Sequence, residues 1–259
     1  MVKKEYLRIL TQRLLAIIIF LLIWEIAIRT GLMYPSPIPP PSSIFYNLKV
    51  LASKEIFWEC TLISLQRVCS GYALAIIIAI PLGFAVGWFR TLELYLDPLL
   101  QTLRQIPLLA LLPVFIIFFG LGETPIILII MLTAMWWILL NTISAVKNVD
   151  PFLVKTARSV GASQLDVLKK VVLPSAVPSI FLGLRYAYTE VMLVLIGVEM
   201  LGARAGLGVF VSSHQHHGQN HILMYSIIVF MTMLGVIANY ILVAFERRVC
   251  RWKEGLEIC

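Results

Sequence analysis

The sequence predicts an all-α integral membrane protein with six transmembrane helices and a short cytoplasmic helix between the fourth and fifth spans. Of its 259 residues, 60% are apolar and only 14% are charged, and the mean hydropathy is +0.91. Soluble domains average about 45–50% apolar and about 25% charged residues. The composition therefore excludes an ordinary soluble enzyme, a disordered tail and a secreted disulfide scaffold.

Six apolar runs predict the spans, since a helix crosses a bilayer with about 20 apolar residues. The runs cover approximately residues 14–30, 68–89, 105–121, 125–144, 177–200 and 222–245. The third run is short and contains Pro107 and Pro113, so we expect an interrupted helix. Arg-Thr-Gly, and not a small-residue cleavage site, follows the first run, which indicates a retained span and not a signal peptide. The proline-rich residues 34–41 predict an extended loop, and residues 42–59 a short surface helix.

The distribution of basic residues predicts the orientation. The chain has 21 Lys and Arg residues against 14 Asp and Glu residues, a formal net charge of +7. Cytoplasmic loops of membrane proteins are enriched in Lys and Arg, and most of the basic residues fall inside when the N-terminus is cytoplasmic. We therefore expect a multi-pass protein of the cell (inner) membrane with both termini in the cytoplasm. The positive net charge is then explained by basic loop residues next to membrane lipid. This explanation argues against a nucleic-acid partner.

Residues 145–175 form the longest predicted cytoplasmic segment and begin with a short amphipathic helix. Asp150 before Pro151 is a typical helix start, because Asp caps the first turn and Pro is preset for it. Gly161 stands where a residue in the left-handed conformation would end this helix. Its apolar stripe consists of Leu153, Ala157 and Val160.

A second short helix is predicted to follow. Ser163 and Asp166 resemble a capping box that opens it, and Pro174 and Pro178 are expected to end it. Its apolar stripe consists of Leu165, Leu168 and Val172. At about ten residues, neither helix can span a bilayer. Their apolar stripes need a cover, which is either the inner ends of the spans or a cytoplasmic partner that docks there.

Two runs in this segment resemble the EAA signature of ATP-binding-cassette (ABC) importer permeases. They are Lys-Thr-Ala-Arg-Ser-Val-Gly at 155–161 and Val-Val-Leu-Pro at 171–174. The spacing from the glycine to the proline matches the signature, and Ala157 matches its second alanine. Lys155 and Thr156 depart from it, because the signature has Glu and Ala at those positions.

Further stretches are similar to one branch of that family, the permeases for sulfonates, taurine, nitrate and related small solutes. They lie at residues 103–113, 119–122, 183–185, 198–200, 206–208 and 242–252. Over nearly its whole length, the chain thus resembles a type I, binding-protein-dependent inner-membrane transport component. The resemblance implies a single permease domain over residues 1–259, with a core at 60–246 and a coupling segment at 150–174.

The resemblance also implies the partners. In this family two permease copies, two ATPase subunits and an extracytoplasmic solute-binding protein form the importer, with ATP and Mg held by the ATPases and no cofactor bound by the permease. No Gly-x-x-x-x-Gly-Lys-Ser/Thr motif occurs in the sequence, so this chain cannot cradle ATP phosphates and is expected to be a transport subunit, not an enzyme. The residues implied to couple to the ATPase are Lys155, Thr156, Ala157, Arg158, Gly161, Ala162, Leu165, Leu173 and Pro174.

An ionisable residue inside a transmembrane helix is costly and therefore indicates function. Glu190 lies near the middle of the fifth predicted span. We interpret it either as a pathway group that disfavours anions or as a hydrogen-bonded strut between helices. Irregular backbone at membrane depth is tolerated where it lines a cavity, so the interrupted third run is a further candidate. The candidate substrate-pathway residues are Pro107, Pro113, Tyr186, Thr189 and Glu190.

The four histidines lie together between the last two spans, at His214, His216, His217 and His221. Histidine is the commonest metal ligand, but Gly218 interrupts the group and no carboxylate or cysteine lies near it. A closed zinc site usually has four firmly spaced ligands. The pattern favours a polar outer loop, facing water or the binding protein, over a metal site.

Two substrate classes fit the sequence. The branch resemblance implies a small anion such as a sulfonate or nitrate, whereas Glu190 and the histidines favour a neutral or cationic solute such as a thiamine-precursor pyrimidine. A secondary transporter without an ATPase is another class, but such proteins often show inverted repeats, and no repeat is evident here. A membrane enzyme would need converging catalytic groups at one depth, and the histidine loop is the only cluster in the sequence.

Overall fold

The computed structural model describes residues 2–31, 38–215 and 221–250. Within these ranges every regular element is a helix and no strand occurs, so the all-α prediction is confirmed. The chain forms two compact units. The first is Met1–Glu59 with Phe210–Thr232, and the second is Cys60–Val209 with Met233–Cys259.

Ten helices make up the described part of the chain. They are α1 (Val2–Arg29), α2 (Pro41–Ala52), α3 (Glu55–Trp88), α4 (Arg90–Leu103), α5 (Leu108–Phe119), α6 (Glu123–Lys147), α7 (Pro151–Ser159), α8 (Gln164–Gly202), α9 (Leu207–Gln215) and α10 (His221–Val249). A 3-10 turn at Leu108–Leu111 opens α5, and a π-helical turn at Leu168–Val172 lies within α8.

Four of these helices, α3, α6, α8 and α10, are long and apolar enough to cross a membrane. The pair α4 and α5 adds a fifth candidate if it is one broken span, with a bend of 80° between its two halves. The described residues therefore supply four or five apolar spans. The first predicted span, at about 14–30, overlaps α1, which ends at Arg29.

The third predicted span is not a continuous helix. After α4 ends at Leu103 the chain turns, and α5 contributes a 3-10 turn of 4 residues and an α-helix of 8 residues, too few to cross alone. Pro107 explains the break, because the residue before a proline avoids the helical conformation. Pro113 does not break the helix, since it lies in the first turn of the α-helical part, where its missing N–H has no partner to lose.

The predicted single surface helix over 42–59 is wrong. Helix α2 ends at Ala52, and α3 begins at Glu55 after a two-residue turn. The 34-residue α3 therefore starts well before the predicted second span. Phe57, in its first turn, is fully buried in the first unit, with its ring 4.7 Å from that of Phe230.

Within the first unit, one carboxylate connects α1 to α2. Glu25 accepts hydrogen bonds from Ser42 N at 3.0 Å and from Ser42 Oγ at 2.7 Å. Because Ser42 lies in the first turn of α2, where backbone N–H groups lack partners inside the helix, Glu25 caps that helix from outside. The acidic residue inside the first apolar run thus has a structural role.

Glycines let the helices of the second unit approach one another closely. A methyl group added at Gly83 of α3 would lie 2.6 Å from Thr142 Cβ of α6, and one at Gly183 of α8 would lie 2.7 Å from Asn141 Cβ. Small residues at helix contacts bring backbones together and maximise van der Waals packing. Helix α6 consequently packs tightly against both α3 and α8.

The fifth predicted span belongs to a longer helix than expected. Helix α8 runs unbroken for 39 residues, so the prediction that Pro174 and Pro178 end a separate cytoplasmic helix is wrong. In a regular α-helix a proline ring clashes with the carbonyl one turn earlier. The π-helical turn immediately before Pro174 widens the helix at that point. The chain therefore passes the prolines without a stop.

Candidate functional site

A cavity of about 480 Å³ lies in the second unit, between the turn that joins α4 to α5 and the facing sides of α6 and α8. The turn contributes residues 104–109, which Pro107 keeps from continuing α4. Helix α6 contributes Thr133, Trp136, Trp137 and Leu140, and α8 contributes Glu190, Leu193 and Val194. Both sets follow the spacing of one helix face. The cavity is therefore formed by broken backbone on one side and by two regular helices on the other.

Two opposite charges line this cavity. Glu190 is half-buried on α8, and Arg104 is exposed at the end of α4. Neither side chain makes a hydrogen bond or an ion pair with any residue in the described ranges. The arrangement therefore offers a carboxylate and a guanidinium, each with free bonding capacity, together with two indole rings.

A smaller cavity of about 280 Å³ adjoins the first, since Arg104 and Leu140 line both. It is also lined by Glu93, which accepts hydrogen bonds from Lys147 Nζ and from Arg90 Nη1. These ion pairs connect the start of α4 to the end of α6. Arg104 consequently stands where the two cavities meet.

The predicted pathway residues are only partly brought together. Pro107 and Glu190 line the larger cavity, whereas Pro113, Tyr186 and Thr189 do not. The ring of Tyr186 packs 5.7 Å from that of Trp137, a lining residue, and Thr189 Oγ1 donates to Arg185 O at 3.0 Å. Sequence reasoning missed Arg104, which only adjoins the interrupted third run, and Trp136 and Trp137, which are two apolar residues among many in the fourth run.

A second group of charges, the Arg67 cluster (Ser64, Arg67, Glu123, Glu199 and the turn 203–208), lies in the same unit. The Arg67 guanidinium, 2% exposed, donates to both carboxylate oxygens of Glu123 at 2.6 Å each, and to Glu199 Oε1 at 2.7 Å. It also donates to Ala205 O at 2.6 Å. Arginine's planar fork suits such simultaneous bonding of two carboxylates.

Glu199 is fully buried and organises the turn before α9. Its carboxylate accepts from Ser64 Oγ at 2.7 Å and from Gly208 N at 2.8 Å, and Ser64 Oγ in turn accepts from Leu207 N at 2.9 Å. Gly206 has φ +128, and a methyl group added there would lie 2.6 Å from Glu199 Cδ. Glycine is thus required by both conformation and space. The guanidinium of Arg67 and the carboxylate of Glu199 are therefore fully engaged with each other and with their neighbours.

The predicted coupling segment has the local structure expected for its first half. Asp150 accepts from Phe152 N at 2.8 Å, Gly161 has φ +84, and Ser163 Oγ accepts from Asp166 N at 3.2 Å. The N-cap, the left-handed turn and the capping box are confirmed.

The apolar stripes of this segment are covered only in part, since Val172 is buried and Leu168 half-buried whereas Leu153 is exposed. Val160 is 81% exposed and Leu165 is 66% exposed, and α7 contains no buried residue. The first stripe and Leu165 therefore lack a cover among the described residues, while the end of the second stripe is buried within them. The other predicted coupling residues that are exposed are Lys155, Thr156, Arg158, Gly161 and Leu173, while Ala157, Ala162 and Pro174 are half-buried.

The predicted histidine group is described only in part. His216 and His217 lie outside the described residues, as does the side chain of His214, and His221 is exposed at the start of α10. Among the residues that the structure describes, no three His, Cys, Asp or Glu side chains are arranged to hold a metal ion.

Residues 71–251 match the family model described as "binding-protein-dependent transport system inner membrane component". The match covers most of the chain, and the protein belongs to this family. It is the transmembrane (permease) subunit of an ABC importer, a transport subunit whose ATPase is a separate polypeptide.

Relatives with similar sequences extend over nearly the whole chain. The putative aliphatic sulfonates transport permease protein SsuC of Bacillus subtilis is 31% identical, over 92% of this chain and 86% of its own. The taurine transport system permease protein TauC of Escherichia coli is 31% identical, over 90% and 86%. The bicarbonate transport system permease protein CmpB of Synechococcus elongatus is 32% identical, over the same shares.

Solved structures share the fold. A chain of the MetNI methionine ABC transporter, solved in inward-facing conformations, aligns with a TM-score of 0.66 and 20% identity, over 75% of this chain and 96% of that chain. A chain of an amino acid ABC transporter solved with histidines gives 0.60 and 17%, over 78% and 97%. The helical arrangement is thus that of ABC transporter permeases.

Proposed function

We propose that this permease moves a small solute with an acid group, of the sulfonate, nitrate or bicarbonate type, delivered by an extracytoplasmic binding protein. Relatives named for aliphatic sulfonates, taurine and bicarbonate support this class. The observation that carries the proposal is the unpaired Arg104 guanidinium beside a cavity of about 480 Å³. Guanidinium groups bind planar or tetrahedral oxyanions through paired N–H donors.

An uptake experiment tests this class. The permease, its ATPase and the neighbouring binding protein are reconstituted in vesicles, and competition against a transported sulfonate is measured. Compounds with a sulfonate or bicarbonate group should compete, whereas ethanolamine and ethylamine, which lack an acid group, should not. Arg104→Gln should weaken uptake of every acid by about tenfold or more, since a charge-assisted hydrogen bond is lost. Competition by amines alone would contradict the anion class.

A neutral or cationic solute, such as a thiamine-precursor pyrimidine, is the second candidate. Glu190 favours it, because a carboxylate beside the solute repels a pure anion. Competition by the amines and no effect of Arg104→Gln would select this class.

We further propose six spans with both termini cytoplasmic, and an importer with two copies each of permease and ATPase. The four or five candidate spans, together with α1 over the first apolar run, support this number. ATP and Mg are then held by the partner ATPases, and this chain binds no cofactor.

The coupling segment, residues 150–174, is proposed to dock on the ATPase from the cytoplasmic side. Its uncovered apolar side chains Val160 and Leu165 support this role, because contiguous exposed apolar surface typically marks an interaction site. Val160 directly follows α7 and Leu165 lies in the first turn of α8, on either side of the turn at Gly161. Leu173 and Pro174 are assigned to the α8 side of the same segment.

Purification from native membranes in mild detergent tests the docking. Val160→Glu and Leu165→Glu should each reduce the amount of co-purified ATPase by about tenfold, because a charge in an apolar contact is poorly tolerated. Tyr46→Glu, which adds a charge at an exposed residue of α2, is the matched control and should retain it. Full retention of the ATPase by both coupling variants would remove this role from the segment.

A further inference from the structure

A further cavity, of about 460 Å³, lies in the second unit where the junction of α3 and α4 faces the coupling segment. Residues 88–92 line it from the junction, Val154 and Arg158 from α7, and Gln164 from the start of α8. We propose that this cavity binds the phosphate group of an anionic phospholipid, with Arg158 as the principal contact. The inference goes beyond solute transport and takes from the proposed function only the cytoplasmic position of the coupling segment.

The charges of this cavity favour an anion. Arg90 and Arg158 both line it, and none of its described lining residues is acidic. The Arg158 side chain makes no hydrogen bond or ion pair with a described residue, so all of its N–H donors are available. Arg90 donates to Glu93 through Nη1 at 2.7 Å, so its charge is partly offset. Guanidinium groups bind phosphate oxygens through paired N–H donors, and the main contact is therefore assigned to Arg158.

The start of α4 adds backbone donors to the two arginines. Residues 90–92 form the first turn of this helix and line the cavity. No side chain caps that turn from the preceding residue, Phe89, and the first N–H groups of a helix have no partner inside it. The helix dipole also places partial positive charge at this end. This contribution supplements the guanidinium groups in attracting a phosphate.

The position of the cavity along α3 places it at the depth of lipid headgroups. Trp88 is the last residue of this 34-residue helix, which is long and apolar enough to cross a membrane. Tryptophan is enriched where spans meet the membrane–water interface, and basic pockets at the cytoplasmic ends of spans bind anionic headgroups. Phe89 and Leu92 are exposed beside the arginines. Such apolar side chains suit the acyl chains of a lipid, which a free phosphate lacks.

Helix α7 has room for this lipid and for the ATPase on different faces. Val154 and Arg158, one turn apart and therefore on one face, line the cavity. Leu153 and Val160 are exposed and do not line it. The family resemblance implies that Arg158 contacts the ATPase, and the proposal reassigns this residue to the lipid. An anionic lipid would then brace the coupling segment against the end of α3.

Native mass spectrometry of the purified permease, with whatever ATPase accompanies it, tests the site. The probes are phosphatidylglycerol and phosphatidylcholine with the same acyl chains, since the ammonium group of the second offsets its phosphate charge. Phosphatidylglycerol should bind about tenfold or more tightly, because charge-assisted contacts favour it. Equal affinities would overturn the proposal. Displacement of phosphatidylglycerol by a tenfold excess of glycerol phosphate would also overturn it, because the occupant would then be a soluble phosphate.

Three variants connect the lipid preference to the cavity. Arg158→Gln should weaken phosphatidylglycerol binding to the level of phosphatidylcholine and leave phosphatidylcholine binding unchanged, which also shows that the variant is folded. Thr91→Glu should do the same by placing a like charge in the cavity, while an acidic residue suits the first turn of α4. Arg248→Gln, at an exposed arginine of α10 outside the cavity, removes the same charge and should keep the preference.

Two outcomes with these variants would contradict the assignment. A preference for phosphatidylglycerol that survives both Arg158→Gln and Thr91→Glu would remove the lipid from this cavity. Loss of co-purified ATPase from Arg158→Gln, with an unchanged lipid preference, would make Arg158 an ATPase contact instead. Failure of the proposed solute class appears separately, in the uptake competition, because no lipid measurement depends on the solute.

Discussion

Helix α8 contains two glutamates whose surroundings differ, since one is buried and paired and the other lines a cavity. Glu199 is 0% exposed and accepts hydrogen bonds from Arg67, Ser64 and Gly208 N. Glu190, more than two turns earlier on the same helix, faces a cavity and has no partner among the described residues. A charged residue in an apolar helix can therefore serve either the fold or a binding site. The Glu199 carboxylate stabilises the fold, whereas the Glu190 carboxylate remains available to a solute in the cavity.

A matched series of glutamate-to-glutamine variants makes this comparison measurable. Each variant removes a charge and keeps the shape, so differences report what the charge does. The readout is the thermal stability of the purified permease in one detergent, and two glycine-to-alanine variants are measured beside the series.

Glu199→Gln should be the most damaging. Breaking a buried ion pair costs about 3–5 kcal/mol, and this variant leaves Arg67, 2% exposed, with only the largely exposed carboxylate of Glu123 as counter-charge. The thermal midpoint should fall markedly, and little folded protein should be recovered. If this variant were as stable as the natural protein, the Arg67 cluster would not be structural.

Gly206→Ala should follow, at roughly 2 kcal/mol, because it forces a non-glycine residue into φ +128 against the Glu199 carboxylate. Gly235→Ala on α10 is the control. A methyl group there meets no atom within 4 Å, and the substitution should be neutral or slightly stabilising in a helix. Similar midpoints for the two alanine variants would contradict a packed turn at Gly206.

Glu123→Gln should cost only about 1 kcal/mol or less. Its side chain is 58% exposed although it faces the buried Arg67, and ion pairs with an exposed partner contribute little. A loss as large as that of Glu199→Gln would mean that both carboxylates, and not mainly the buried one, hold the guanidinium.

Glu190→Gln should change stability least, by at most about 0.5 kcal/mol, since no described contact is lost. Its effect should appear in solute binding instead. A large loss of stability would instead show that Glu190, like Glu199, has a structural role.

The apolar runs predicted α3, α6, α8 and α10, because span length and hydropathy are local properties. The cap at Asp150 and the turn at Gly161 were equally readable, since each depends on a few neighbouring residues. The ends of α3 and α8 were not. Whether a proline ends a helix depends on the turn before it, and the sequence gives no signal for the π-helical turn that precedes Pro174.

The cavity could be predicted only in part, because local sequence features mark some of its lining residues and not others. Pro107 and Glu190 attract notice as irregular or charged residues in apolar runs, and both line the cavity. The Arg67 cluster could not be predicted, because Glu123 and Glu199 lie 56 and 132 residues from Arg67 in the sequence. Only the packing of α3, α6 and α8 brings them together.

Helix α8 connects the proposed coupling segment to the cavity in one continuous helix. At 39 residues and about 1.5 Å per residue, it is roughly 58 Å long, nearly twice the thickness of a membrane's hydrocarbon core. Leu165 lies near one end of this helix and Glu190 lies in its second half. Near the other end, Glu199 accepts a hydrogen bond from Arg67. A movement of Leu165 is therefore carried to the cavity wall along one helix, which can bend at the π-helical turn Leu168–Val172 and at the internal Pro178.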